Sequence, residues 1–237
     1  MIITPVAAAS DAGQKILAEL KDRFQTTDTK CRSIVTDIIS AVRDRGDEAV
    51  LEYTRKFDAP DLTVDRLRVS AAEIEQAYSR VDDLFMQSLD LAIERIYSFH
   101  EREKEQSWIK TDVNGTITGR LVNPVDSAGL YVPGGQGGKT PLVSSVLMNG
   151  IPALIAGVER RVMVTPPNEA GELNPALIVA AHKIGITEIY KTGSAWAIAA
   201  LAYGTETVPQ VDMIAGPGNL YVSLAKKILI GTVGIDI

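Results

Sequence analysis

A single cysteine, Cys31, leaves no internal disulfide to be formed and suits a reducing compartment. Histidine is almost as scarce. His100 and His182 are the only two, neither has a second histidine one helical turn away, and Cys31 has no companion, so no zinc-ligand spacing exists in the chain. Positive charge is short, with 24 basic against 30 acidic residues and a net charge of −6, which argues against a nucleic-acid partner. Long apolar runs are missing as well. Residues 143–158 are the most apolar stretch, but Ser144, Ser145, Asn149, Gly150 and Pro152 interrupt it, short of the ~20 residues of a membrane span. The start, Met1-Ile2-Ile3-Thr4-Pro5, carries no basic cluster and no export-type apolar segment. A cytoplasmic protein with no membrane partner is the expectation. Aromatic residues make up 5% of the chain, so aliphatic side chains must fill the core.

What is present suffices for folding. Apolar residues are 46% and charged residues 23% of 237 residues, near the globular average. From the mass, folding into compact form would leave roughly 10,000 Å² exposed. The first ~105 residues read as helices. Ile34, Val35, Ile38, Ile39 and Val42 recur at helical spacing, Gly46 stops that helix, and Asp47 can cap a second one carrying Val50, Leu51, Thr54 and Phe57. Ser70-Ala71-Ala72-Glu73 is a capping box. A longer helix follows with Phe85, Leu89, Ala92, Ile93, Ile96, Phe99 and His100 on one face. Asn114-Gly115 then supplies a tight turn between extended runs at 108–113 and 116–122.

Beyond residue 127 the texture changes. Apolar strands at 128–132, 162–165, 188–192, 212–215 and 233–237 alternate with helices at 142–157, 175–184, 195–203 and 219–230. Pro152 is expected to kink or split the first of these helices. The order predicts an α/β fold: a doubly wound, Rossmann-like parallel sheet preceded by an N-terminal helical region with a β-hairpin. Ligands of such sheets bind beyond the carboxyl ends of the strands. Three glycine turns fall there: Gly134-Gly135-Gln136-Gly137-Gly138-Lys139-Thr140, Gly193-Ser194, and Gly216-Pro217-Gly218-Asn219. Each also fits an ordinary strand-to-helix turn. The first fails as a phosphate loop because Pro133 stands where the motif needs glycine, and Lys139 reads as a solvated surface group. The third partly matches a dinucleotide fingerprint. Asp236 lies at the next strand, where a ribose-binding acid belongs, but Tyr221 occupies the last glycine position. Ser144-Ser145 lacks a nucleophile elbow and fits helix capping better. No spacing pairs two carboxylates for acid–base work.

Several motifs resemble the histidinol dehydrogenase family: Gly129-Leu130-Tyr131-Val132-Pro133-Gly134-Gly135, Ser144-Ser145-Val146-Leu147-Met148-Asn149, Val162-Met163-Val164-Thr165-Pro166-Pro167 and Gly216-Pro217-Gly218-Asn219. So do the run from Ala197 to Thr207 and, nearer the N-terminus, Arg45-Gly46-Asp47-Glu48-Ala49 and Phe99-His100. The likeness spans essentially the whole chain. It implies a homodimeric enzyme of two Rossmann-like α/β domains that oxidises the small molecule L-histidinol to L-histidine through the aldehyde, in two NAD-dependent steps. It also implies a zinc ion holding the amino alcohol, with a glutamate and a histidine as bases. Carried over by motif, the cofactor-contacting tyrosine matches Tyr131 and the asparagine matches Asn219. Without the family, Tyr131 reads as an aromatic cover on the sheet edge and Asn219 as a helix cap.

Two departures accompany the resemblance. Where the family has a cofactor-contacting glutamine, this chain has Trp196, which cannot accept a hydrogen bond and can instead stack on a ring or fill the pocket. The family's zinc ligands, catalytic bases and dimerising tail match nothing here, since Ile235-Asp236 resembles only the opening of the family signature and the resemblance implies that all of them lie beyond it. No catalytic or metal-binding residue is therefore assigned. The expectation is an inactive N-terminal portion, with residues 1–127 an incomplete part of a first α/β domain, exposing apolar surface, and residues 128–237 a Rossmann-like domain. The alternatives are a non-catalytic nucleotide-binding or assembly module, or a relative acting on another amino alcohol.

Overall fold

The computed structural model describes residues 5–22, 29–135 and 140–236. Lys139, most of its glycine loop and Ile237 lie outside these residues. Helices α1 (Asp11–Asp22), α2 (Thr29–Arg45), α3 (Asp47–Phe57), α4 (Ala71–Ser79) and α5 (Asp83–His100) come first. Strands β1 (Trp108–Thr111) and β2 (Ile117–Arg120) form the antiparallel hairpin, with Gly115 at φ +85° in its turn. Then β3 (Ser127–Tyr131), α6 (Val143–Ala156), β4 (Arg160–Thr165), α7 (Pro175–Lys183), β5 (Glu188–Lys191), α8 (Ser194–Tyr203), β6 (Met213–Ala215), α9 (Leu220–Leu229) and β7 (Gly234–Ile235) alternate as expected.

The main sheet runs β5-β4-β3-β6-β7, with every named pair parallel. Because the first strand of this unit lies in the middle, the chain winds outward one way through β4 and β5, then back across to β6 and β7. Strand alternation sends Ala128, Leu130 and Met163 into one core with α6 and α7. It sends Tyr131, Val162 and Val164 into the other core, with α8 and α9. The N-terminal helices form outer layers on both faces. Helix α2 lies on α8 and α9, and α3 on α8; on the other side α4 lies on α7 and α5 on α6. At the β5 flank, Val69 N–H donates to Ile189 O (2.9 Å) and Lys191 N–H to Leu67 O (2.8 Å), an antiparallel rung on an otherwise parallel sheet.

Some local expectations change. Helix α6 is continuous through Pro152, because buried Val146, Leu147, Gly150 and Ile151 anchor it before the proline and buried Ile155 after it. A Cβ on Gly150 would stand 2.4 Å from Ile184 Cδ1, so the helix sits too close to its neighbour to swing away. Asp47 is the first residue inside α3, not its cap; Gly46 takes the cap position at φ +53°. The α6 cap is Leu142, leaving Ser144 and Ser145 inside the helix. Phe57 and Phe99 turn out of their expected faces and are exposed. The accessible surface is 13922 Å², well above the compact expectation, and every strand residue of the β1–β2 hairpin contributes exposed area.

Candidate functional site at the carboxyl edge of the sheet

Strand order reverses between β3 and β6, and the crevice above that point is where doubly wound sheets take ligands. Tyr131 ends β3. Gly216 follows β6, whose Ala215 pairs with Leu130. A Cβ on Gly216 would lie 2.2 Å from the Tyr131 carbonyl oxygen, so only glycine, at φ +120°, allows this approach. The same carbonyl accepts from Asn149 Nδ2 at 3.3 Å. Asn219 caps α9, its Oδ1 accepting the Val222 N–H at 3.1 Å, and its side chain is exposed at the rim. Tyr131 and Asn219 thus stand at the same edge of two neighbouring strands.

The Tyr131 ring is buried, and its hydroxyl accepts the Ser194 N–H (3.1 Å) at the start of α8. Burial pushes this phenol up to about 12; the Ser194 amide opposes the shift and the Asp58 charge adds to it. Asp58, at the end of α3, has a buried Oδ2 with no partner, and burial pushes its carboxyl up to about 6. Thr165 Oγ1, at the end of β4, is buried and also has no partner. Thr192, just beyond β5, lies 3.4 Å from Thr54 by hydroxyl oxygens. A belt of polar groups therefore runs along the rim under the end of α3. Asp58, Thr165 and Thr192 carry no sequence signal that marks them, because the helix that brings Asp58 here lies far away along the chain.

Trp196 fills the inside of this belt. It is buried, its Nε1–H donates to Thr54 Oγ1 at 3.0 Å, and its ring stacks on Tyr53 and Phe57 at 5.7 and 5.6 Å. Its surface is thus committed to α3, which resolves the earlier choice in favour of filling. The glycines of the other two turns answer to packing. A Cβ on Gly134 would meet Pro166 Cγ at 2.5 Å, and one on Gly193 would meet Pro166 Cβ at 2.7 Å. Asp236 also departs from its fingerprint role. Its Oδ2 accepts the Gly216 N–H (2.6 Å) and its Oδ1 accepts from Lys226 Nζ (2.5 Å), so both oxygens are already engaged in holding the chain's own groups.

His100 donates or accepts through Nδ1 with Glu103 (2.6 Å), and His182 pairs with the Tyr78 hydroxyl (2.9 Å); neither bond involves a rim residue. Among the described residues no three His, Cys, Asp or Glu side chains cluster to hold a metal. No helix among them is long and apolar enough to cross a membrane.

The strand order defines a Rossmann-like, doubly wound α/β protein. A solved histidinol dehydrogenase from Elizabethkingia anophelis superposes with a TM-score of 0.81 at 38% identity, over 98% of this chain and 48% of that one. The histidinol dehydrogenase family model matches residues 21–237, and the chain belongs to that family. Histidinol dehydrogenase of Desulfotalea psychrophila is 62% identical over 236 residues, 100% of this chain and 54% of that protein. That of Oleidesulfovibrio alaskensis is 50% identical over 228 residues, 96% of this chain and 52% of that protein. The chain spans about half the length of these relatives.

Proposed function

We propose that this chain is the dinucleotide-binding portion of an enzyme that oxidises L-histidinol to L-histidine in the cytoplasm. Residues 1–127 would supply part of a first α/β domain and residues 128–237 the cofactor domain. The family match over residues 21–237 supports the reaction, and the switch-point crevice between β3 and β6 supports the cofactor. The observation that carries the reading is the switch-point crevice itself, with the ends of β3 and β6 drawn together where Gly216 packs against the Tyr131 carbonyl.

NAD, when bound, accepts the hydride leaving the substrate carbon in each oxidation. Tyr131, Gly216 and Asn219 would hold it. With Asn219 Oδ1 engaged by Val222 N–H, the Nδ2 group is left to donate to a ribose or phosphate oxygen. The Tyr131 hydroxyl receives the Ser194 amide and keeps its own proton for donation, and its raised pKa holds that proton in place at neutral pH. Helix α9 begins at the rim, so its positive end favours the pyrophosphate. The described residues bring together no set of His, Cys, Asp or Glu side chains that fits zinc. Dimerisation, the zinc site and the catalytic bases would belong to the remainder of a full-length enzyme.

Titration of the chain with NAD by calorimetry, parent against Asn219→Ala, tests the assignment. Weaker uptake by the variant is expected, and equal affinity rejects the role of Asn219. Histidinol-dependent NADH formation with added zinc should be absent in the 237-residue chain. Turnover clearly above blank would show that this chain carries the chemistry itself.

A further inference from the structure

Lys226 is a buried cation with a specific target. Its residue is 6% exposed, and its Nζ donates to the Gly216 carbonyl and to Asp236 Oδ1, each at 2.5 Å. Asp236 returns through Oδ2, which accepts the Gly216 N–H at 2.6 Å. Both polar groups of one glycine are thus closed into a ring by an ion pair drawn from α9 and the segment after β7. The Lys226 end of the pair is buried while Asp236 still meets solvent, and each partner makes one further hydrogen bond, to the Gly216 backbone.

Gly216 is the residue whose position matters. It presses on the Tyr131 carbonyl where no Cβ fits, and it precedes Pro217, whose ring restricts its ψ. Three residues on, Asn219 opens α9, the helix that carries Lys226. A peptide at φ +120° with both groups held has little freedom to rotate, so the turn between β6 and α9 keeps one shape.

We propose that Lys226 and Asp236 are positioning residues. Together they set the Gly216–Asn219 turn against the end of β3, and so shape the crevice for a dinucleotide. The link to cofactor binding rests on the function proposed above; the clamp itself does not. It also reassigns Asp236 from touching a ribose to holding the backbone beside it.

The test uses the parent chain, Lys226→Met and the near-isosteric Asp236→Asn, with Asp236→Ala as the stronger lesion. Two measurements are made well below each variant's melting temperature. Amide hydrogen exchange should speed up at least about tenfold at Gly216 in Asp236→Ala, with Val164 and Ile189 in the sheet unchanged. NAD affinity by calorimetry should fall about tenfold in Lys226→Met and Asp236→Ala, and less in Asp236→Asn, which keeps an acceptor for Gly216. Unchanged Gly216 exchange overturns the clamp. Parent-like NAD affinity in both stronger variants overturns its role in binding. A parent chain that takes up no NAD defeats the cofactor reading, and the exchange measurement then decides the clamp alone.

Discussion

Asp47 and Glu206 interlock across 159 residues of sequence. The Asp47 backbone N–H donates to Glu206 Oε2 at 2.8 Å, while the Asp47 carboxylate accepts from the hydroxyls of Thr205 and Thr207 on either side of Glu206. Glu206 thereby caps a helix start that Gly46 cannot cap with a side chain, and a negative charge meets the positive end of α3. The Asp47 amide holds the Glu206 carboxyl below the usual carboxylate range. Both motifs that carry this contact are among those that resemble the family, and their shared work is to fasten α3 to the turn after α8.

Removing the Asp47 carboxylate should therefore unfasten the layers. Asp47→Ala strands two threonine hydroxyls and is expected to cost about 3 kcal/mol in urea unfolding. A loss near zero would mean the interlock contributes nothing.

Asp58 gives a pH dependence of the opposite sense to Glu206. Its carboxyl, at about 6, lies above its ordinary 3.8, so the folded state holds the proton more tightly than the unfolded chain does. The contribution is fully present below pH 3.8 and is lost as pH rises through about 6. Asp58→Asn should raise the melting temperature at pH 7.5 and leave it nearly unchanged at pH 4. The gain is on the order of 1 kcal/mol, discounted for the partial contact of Asp58 with water. Equal effects at both pH values would remove Asp58 as the cause.

Trp196→Gln restores the residue type expected at that position in the family, yet it should destabilise. The substitution removes both ring stacks and the packing under α3, at a cost of about 2–4 kcal/mol. Trp196→Phe keeps the stacking and loses the bond to Thr54, at about 1 kcal/mol. Urea midpoints that rank glutamine above phenylalanine would contradict the packing account.

Gly216→Ala places a methyl group against the Tyr131 carbonyl and forces alanine to a positive φ. A loss of about 2 kcal/mol or more is expected, together with weakened NAD uptake, by thermal melting and calorimetry. Full stability would show that the turn can relax away from β3.

The alternation of strands and helices was legible in the sequence for a physical reason. A parallel sheet buried on both faces needs continuous apolar strands, such as 162–165, and glycine or proline at each change of direction. The rim positions of Tyr131 and Asn219 followed from the same logic. Side-chain partners were not legible. Asp236 has the spacing of a ribose ligand from Gly216, but a lysine one helix away claims it. Asp58 is brought to the rim by α3, and no local pattern announces which strand end a remote helix will cover. For Trp196 the sequence leaves stacking on a ring and filling the pocket both open, and only the placement of α3 supplies Tyr53 and Phe57 as its partners.

The reversed rung at Leu67 and Val69 has a consequence for association. That flank of the sheet terminates in a piece too short, and running the wrong way, to serve as a template for another parallel strand. The β5 edge is thereby blunted, while β7 forms the opposite border of the platform.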